Sequence, residues 1–216
     1  MSLIVSEPKG KSDYIIVPEG NHLARCYRIV EIGTQKTTWN GEEKAQKKVM
    51  LFWELHGEDA SGKPLVTDDG RPLVTSKRFT PSLNERATLR KFLSGWRGKQ
   101  FTHEELEGFS LPDVLDKWCM LTITHSKDPK DPTKTYVNIE SLSSVPSVIR
   151  KAGLPEGINP IGSFDIDAPD MEIFAQLTAY MKDLITNSPE WKMRNHNDNF
   201  NQDEASYTQK SSDIPF

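Results

Sequence analysis

Residues 46–56, QKKVMLFWELH, decide the fold class. Apolar side chains fill every second position of this stretch: Val49, Leu51, Trp53 and Leu55. A period of two residues is typical of a β-strand that directs one face to the core. The positions between them hold the large apolar residues Met50 and Phe52 together with charged ones. This second face is therefore predicted to be either a half-exposed binding face or a second buried face.

Further strands are predicted on both sides of this one. Residues 22–33 are rich in β-branched and aromatic residues, which predicts a long first strand. Asn40-Gly41 between the two strands is a strong signal for a tight hairpin turn. Residues 64–75 repeat a Pro-Leu-Val-Thr segment around an Asp-Gly turn, which predicts a hairpin that its prolines confine to a sheet edge or an excursion. A third strand follows at residues 76–80.

A helical section and two more strands complete this part of the chain. Ser82 and Glu85 have the spacing of a helix capping box, and so have Thr102 and Glu105. An apolar stripe follows the first of these boxes, as expected for a helix that packs on a sheet. The last two strands are predicted over residues 117–125 and 135–142, with a polar loop between them that contains two prolines.

The order of these elements predicts a mainly β fold with added helices. Three strands, a helical section and two strands are the order of an OB-fold, a five-stranded Greek-key barrel. We expect this barrel at residues 21–145, after a flexible N-terminal arm at residues 1–20. A linker and an amphipathic helix over about 169–186 follow at residues 146–190. This helix is expected to pack on the barrel; the alternative is a dimer interface. Residues 191–216 have too few apolar side chains for burial to offset the conformational entropy that ordering would cost, so we expect a disordered tail.

Charge is concentrated in one section. The 216-residue chain has a formal net charge of −4, yet residues 71–99 hold eight Lys and Arg residues against Glu85 alone. One basic section in an acidic protein indicates a local anion-binding surface. No apolar run is long enough to span a membrane, and the N-terminus lacks a secretory signal. Cys26 and Cys119 are predicted to be core residues, so we expect a cytoplasmic protein.

The last four residues, Asp213-Ile214-Pro215-Phe216, follow a polar segment and suit capture in a pocket. The ring of Phe216 can fill a cavity, the proline stiffens the peptide, and cations can bind the carboxylates. The sequence therefore predicts a docking tip at this position.

This ending resembles the C-terminal tip of bacterial single-stranded DNA-binding proteins, through which that family recruits replication and repair enzymes. With the strand order and the basic section, the chain resembles OB-fold single-stranded DNA-binding proteins, particularly those encoded by bacteriophages. The resemblance implies sequence-nonspecific binding and protection of single-stranded DNA during replication, recombination or repair in the cytoplasm of a bacterial host. One departure is that Ser211 and Ser212 precede Asp213, where bacterial tips usually carry acidic residues.

Binding of a single strand requires cations along the backbone and aromatic faces for the unpaired bases. The cations predicted for the backbone are Lys47, Lys48, Lys77, Arg78, Arg86, Arg90 and Arg97. The rings predicted for stacking are Trp39, Phe52, Phe79 and Tyr136. On a helix, Arg86, Arg90 and Arg97 would lie on one side, where they form either part of the binding surface or an ordinary solvated face.

Other functional classes have weaker support in the sequence. It contains no Walker loop, nucleophile elbow or paired-histidine motif, and the five histidines have no metal-ligand spacing. We therefore expect no enzyme activity, no metal and no cofactor. Two alternatives stay open: a metal-dependent nuclease with carboxylates scattered over strands, and an adaptor that binds only proteins and redirects host replication enzymes.

Overall fold

The computed structural model describes residues 15–39 and 41–194, and the fold of this part is mainly β. Six strands form one sheet: β1 Gly20–Trp39, β2 Glu42–His56, β3 Val74–Phe79, β4 Trp118–Lys127, β5 Thr135–Ser143 and β6 Gly162–Phe164. The helices are short: α1 Thr88–Arg97, α2 His103–Glu107, α3 Ser147–Ala152, α4 Met171–Gln176 and α5 Ala179–Thr186, with a 3₁₀ turn at Leu111–Val114.

The main strands are antiparallel, in the order β3-β2-β1-β4-β5, and β6 adds to β1 in parallel. The long strand β1 carries two register shifts, after Cys26 and after Glu31. Such bulges bend a strand and increase its twist, so β1 can pair with β2, β4 and β6 along its length. At the two ends of the strand path, Nζ of Lys77 in β3 donates to the carbonyl of Ile139 in β5 at 2.7 Å. The arrangement is consistent with a β-barrel-like fold.

The first core lies between one face of this sheet and α1. Trp53 and Leu51 of β2 are buried there, and Leu93 and Trp96 of α1 cover them. The alternation in residues 46–56 is thus confirmed as the core-facing pattern of β2. Cys26 and Cys119 are also confirmed as core residues: both are fully buried and carry free thiols. Burial raises the pKa of each thiol, to about 12 for Cys26.

A second core covers the opposite face of β1 and β2. Val30 and Ile32 of β1 pack there with buried residues of the C-terminal segment: Phe164, Ile166, Leu177, Met181, Ile185 and Trp191. Met50 and Phe52 of β2 pack against this cluster. The second face of β2 therefore lies between the two predictions: the C-terminal segment packs on Met50 and Phe52, which remain half-buried, and leaves Lys48 at an open groove.

The C-terminal segment differs from its prediction in two respects. The helix expected over residues 169–186 is interrupted, because the extended backbone of Leu177 (ψ 151°) ends α4 and Thr178 caps α5. The tail was expected from residue 191, but Trp191 is buried and stacks on Phe174 at 5.2 Å between ring centroids. The remainder of the predicted tail, residues 195–216, lies outside the described residues.

The predicted turns and caps had mixed outcomes. The box of Thr102 and Glu105 is confirmed, since each side chain accepts from the other residue's backbone N–H. The box at Ser82 is wrong, because α1 begins only at Thr88 and Ser82 forms a local turn instead. The hairpin at residues 64–75 is confirmed by a backbone hydrogen bond from Thr67 to the carbonyl of Arg71 at 2.8 Å and by a bridge between Val66 and Pro72.

The strands are longer than predicted, and the arm at residues 1–20 is shorter. Strands β1 and β2 continue as a paired ribbon as far as Trp39 and Glu42, beyond the apolar pattern that marked the core. In the described part of the arm, Val17 is buried and its carbonyl accepts from Nε2 of His125 at 2.8 Å. The chain is therefore attached to the sheet from Val17 onwards.

A buried ion pair holds the linker against the sheet. Arg25 of β1 is 5% exposed and Glu54 of β2 is fully buried, and Nε of Arg25 donates to Glu54 at 2.7 Å. Glu54 also accepts from His56 at 3.0 Å and from the backbone and side-chain amides of Asn159 at 2.6 and 2.7 Å. Burial by itself would raise the pKa of Glu54, but the hydrogen bonds from Arg25, Asn159 and His56 lower it to about 2. Gly157 lies so close to Arg25 that a Cβ atom there would be 1.9 Å from the guanidinium carbon.

Candidate nucleic-acid interface

A basic groove lies between β2, β3 and the start of α1. Its volume is about 580 Å³, and four cations line it: Lys48, Lys77, Arg78 and Arg86. The other lining residues are Gln46, Phe79, Thr80, Ser82, Asn84, Ala87, Thr88 and Leu89. No Asp or Glu is found among these lining residues. The basic groove therefore combines several positive charges with no carboxylate among its lining residues, and Glu140 outside the lining partly offsets the charge of Lys77.

Strand pairing and a turn bring these cations together. In the β2–β3 ladder, Lys77 pairs with Leu51 and Arg78 with Met50. These two cations therefore leave β3 on opposite faces of the sheet, and Arg78 is the one that shares a face with Lys48 of β2. Nζ of Lys48 donates to Gln46 Oε1 at 2.9 Å and to Thr80 Oγ1 at 2.8 Å. These contacts fix the ammonium group of Lys48 at the end of β3.

Arg86 comes to the groove from the loop before α1. Its backbone N–H donates to Asn84 Oδ1 at 3.2 Å, which forms a tight turn, and its side chain is exposed. The first turn of α1 begins next to it at Thr88, without an acidic residue and without a side-chain cap at Ala87. The unpaired N–H groups of a helix start add positive potential. They reinforce the four cations here.

Lys48 and Arg78, two cations of the groove, repel one another. Burial lowers the pKa of the Lys48 ammonium, and the neighbouring Arg78 guanidinium lowers it further. Burial likewise lowers the pKa of Lys77, which Glu140 partly opposes. An anion in the groove would relieve this repulsion. The site is therefore suited to a ligand that carries more than one negative charge.

Two of the cations also make contacts that restrict them. The ammonium of Lys77 lies 5.0 Å from the ring centroid of Phe92 in addition to its bond to Ile139. Nη2 of Arg78 donates to the hydroxyl of Tyr180 on α5 at 3.1 Å. Lys77 thus adds positive potential to the groove but few free N–H donors. The N–H groups of Arg78 other than the one bonded to Tyr180 can donate to a ligand.

Three predicted cations lie elsewhere. Lys47 is exposed on β2 and is 3.6 Å from Glu31. Arg90 donates to the carbonyl of Leu83 at 3.2 Å and lines a separate groove along α1, which holds Lys91 and Lys99 but also Glu85. The predicted stripe of Arg86, Arg90 and Arg97 on one helix does not form, because Arg86 precedes α1.

The role predicted for Arg97 does not fit its surroundings. Its guanidinium bonds to Glu105 of α2 and lies 4.5 Å from the ring centroid of Phe101. The side chain is mostly buried between α1 and α2. Arg97 is a structural residue that joins these helices, so a phosphate cannot reach it without breaking the pair.

The predicted stacking rings are also separated by the fold. Phe79 is 3% exposed and packs edge to face on Phe92 at 5.2 Å, so its face is not open to a base. Phe52 is half-buried between Tyr27 and the second core. Tyr136 is 49% exposed, but it lies on β5 away from the groove-lining residues, and its hydroxyl donates to Asp128 at 2.6 Å. The side chain of Trp39 and the tip at residues 213–216 lie outside the described structure.

Sequence reasoning missed one residue beside the groove, Tyr180. It belongs to the polar side of the predicted C-terminal helix, and nothing in its local sequence indicates a partner 102 residues away. Only the packing of α5 on the sheet brings Tyr180 next to Arg78.

In residues 15–39 and 41–194, no three His, Cys, Asp or Glu side chains are grouped so that they could hold a metal ion. Within the same ranges, no helix has the length and apolar character needed to cross a membrane.

Comparison with protein-family models gave no match, and comparison with curated proteins gave none either. The function has to be argued from the residues of this chain.

Proposed function

We propose that this chain is a single-stranded DNA-binding protein built on an OB-type barrel. The observation that carries the proposal is the basic groove, where Lys48, Lys77, Arg78 and Arg86 meet without a carboxylate among the lining residues. The element order β1-β2-β3-α1-β4-β5 and the pairing of β1 with both β2 and β4 support the fold assignment. In OB-folds, the second and third strands typically face the nucleic acid, and these are the strands that form the groove.

A phosphodiester backbone is the polyanion that this groove fits best. A phosphate placed between Lys48 and Arg78 would offset the repulsion between these two cations, and Arg86 lines the same groove. A flexible single strand can follow a recessed groove. Duplex DNA, which is stiff over about 150 base pairs, cannot bend into it at low cost. Backbone contacts of this kind carry no sequence preference.

Recruitment of partner enzymes is assigned to the tip Asp213-Ile214-Pro215-Phe216. Its support is the sequence pattern alone: one aromatic ring, a stiffening proline and acidic groups. Many copies on one strand would present many tips, which raises the avidity of a weak contact. In this proposal, DNA binding and recruitment are separable activities of the groove and of the tail.

A binding titration tests the proposal. Labelled single-stranded and duplex DNA of equal length are titrated with the wild-type protein at low salt, together with two charge-reversal variants. Arg86→Glu changes an exposed groove cation, and Lys151→Glu makes the same charge reversal at an exposed position of α3, outside the groove lining. We expect tight binding of the single strand, weaker binding of duplex, and a loss only in Arg86→Glu. Equal loss in both variants, or equal affinity for both DNA forms, would contradict the proposal.

The same mixtures with Mg²⁺, analysed on a denaturing gel, test the nuclease alternative. Intact strands are expected after incubation. Degradation by the wild-type protein would replace the binding function with hydrolysis. Failure to bind any oligonucleotide at low salt would favour the protein-only adaptor.

A further inference from the structure

The exposed phenol ring of Tyr180 lies beside the basic groove. Tyr180 is 60% exposed and belongs to the first turn of α5. Its hydroxyl accepts a hydrogen bond from Nη2 of Arg78 at 3.1 Å, and Arg78 in turn lines the groove. The side chain of Arg78 thus connects the exposed ring of Tyr180 to the basic groove.

The packing of α5 holds this ring in place. Met181 and Ile185 on the buried side of α5 belong to the second core, so the helix is fixed against the sheet. The bond from Arg78 restrains the hydroxyl end of Tyr180. A ring that is already ordered loses little conformational entropy when a ligand packs on it.

A strand whose phosphates occupy the groove requires a nearby surface for its bases. Phe79, the aromatic residue that lines the groove, is buried and offers no open face. Two aromatic residues of the described chain are clearly exposed, Tyr136 and Tyr180, and Tyr180 is the one bonded to a groove residue. Every nucleobase has a π-face, so stacking on such a ring is tolerant of sequence.

We propose that Tyr180 stacks on an unpaired nucleobase of the bound strand, so that α5 extends the binding surface beyond the β-barrel. The assignment rests on the proposed binding of single-stranded DNA and adds the base-recognition element that the groove itself lacks. The base that stacks belongs to a nucleotide whose phosphate lies at Arg78. The C-terminal segment thereby gains a direct role in ligand binding besides its packing on β1 and β2.

The experiment separates stacking from the positioning of Arg78. Full-length wild type, Tyr180→Phe and Tyr180→Ala are titrated by fluorescence anisotropy with labelled oligothymidylate. A strand of equal length made of abasic units, which keeps the phosphates and lacks the bases, is titrated in parallel. Met171→Ala, an exposed truncation at the start of α4, is the matched control.

Loss of the ring is expected to weaken binding of oligothymidylate by about 5- to 150-fold, the range for one stacked base. Tyr180→Phe keeps the face and loses the bond to Arg78, so its affinity stays close to wild type. On the abasic strand, wild type and Tyr180→Ala bind alike. Met171→Ala behaves as wild type on both strands. Because Tyr180 is exposed, its replacement leaves the fold intact, which thermal unfolding of each variant checks.

Three other results would overturn the inference in different ways. If wild type binds oligothymidylate and Tyr180→Ala binds it equally well, the inference is wrong and the proposed function stands. If Tyr180→Phe and Tyr180→Ala weaken binding to both strands alike, the hydroxyl only positions Arg78 and the ring does not stack. If wild type binds neither strand, the proposed function is itself wrong and the inference fails with it.

Discussion

Replacing Glu54 by Gln should destabilise the protein at neutral pH and make its stability less sensitive to acid. Glu54 is fully buried, and it accepts hydrogen bonds from Arg25, His56 and Asn159. Its pKa is lowered from 4.5 to about 2 in the folded protein. At about 1.4 kcal/mol per pKa unit, this shift corresponds to a contribution of about 3 kcal/mol to the free energy of unfolding.

The sign of the pH dependence follows from the direction of the shift. Because the folded pKa is the lower one, the contribution of Glu54 is fully present above pH 4.5 and is lost as the pH falls towards 2. By pH 3, about 2 kcal/mol of it should be gone. Glu54→Gln lacks this contribution at every pH. The difference in stability between wild type and variant should therefore shrink on acidification.

Urea unfolding at pH 7 and at pH 3 measures this difference. Wild type should exceed Glu54→Gln by about 3 kcal/mol at pH 7 and by about 1 kcal/mol at pH 3. Glu140→Gln makes the same chemical change at an exposed position of β5 and should differ little from wild type at either pH. A gap of equal size at both pH values would refute the argument, because the charge of Glu54 would then not be what stabilises the network.

Three further predictions concern other residues. Gly157→Ala should destabilise the protein by at least about 1 kcal/mol, because its Cβ would lie 1.9 Å from the guanidinium carbon of Arg25; unchanged urea unfolding would contradict this. Arg97→Ala should lower the midpoint of thermal unfolding and leave the salt dependence of DNA affinity unchanged, because Arg97 contacts Glu105 and Phe101 rather than phosphate. A flatter salt dependence with unchanged stability would show that Arg97 belongs to the binding surface after all. Phe216→Ala should weaken the capture of proteins by the proposed docking tip while DNA affinity is retained, because it removes about 1.5–3 kcal/mol of ring burial from the tip; capture of the same proteins in the same amounts by wild type and variant would contradict the proposed role of the tip.

The strands and their core faces could be predicted because alternation in the sequence reflects burial directly. Leu51 alternates with the half-buried Met50 and Phe52 in β2, and both Leu51 and Trp53 lie in the first core as expected. The burial of Cys26 and Cys119 was also predicted correctly. So was the capping box, because Thr102 and Glu105 are close together in sequence. The composition of residues 71–99 also located the basic groove, to which it contributes Lys77, Arg78 and Arg86.

The assignment of individual side chains required distant partners that local sequence does not reveal. Phe79 pairs with Val49, and that register directs its ring into the core. Arg97 is bound by Glu105 of the following helix, and Tyr180 meets Arg78 across 102 residues. Phe52 is covered because the C-terminal segment folds back on β1 and β2. In each case tertiary packing decides whether a cation or ring is free, although its position in an element was predicted correctly.

The salt dependence of single-strand affinity tests the central claim most directly. Each phosphate neutralised contributes a slope of about −0.7 in log affinity against log salt, and the groove offers four cations. We predict a slope of up to about −3 for the wild-type protein, which becomes shallower by about 0.7 in Arg86→Ala and stays unchanged in Lys151→Ala, an exposed position of α3 outside the groove lining. A wild-type affinity that does not change with salt, or an equal slope in Arg86→Ala and wild type, would contradict the assignment of the basic groove to the nucleic acid.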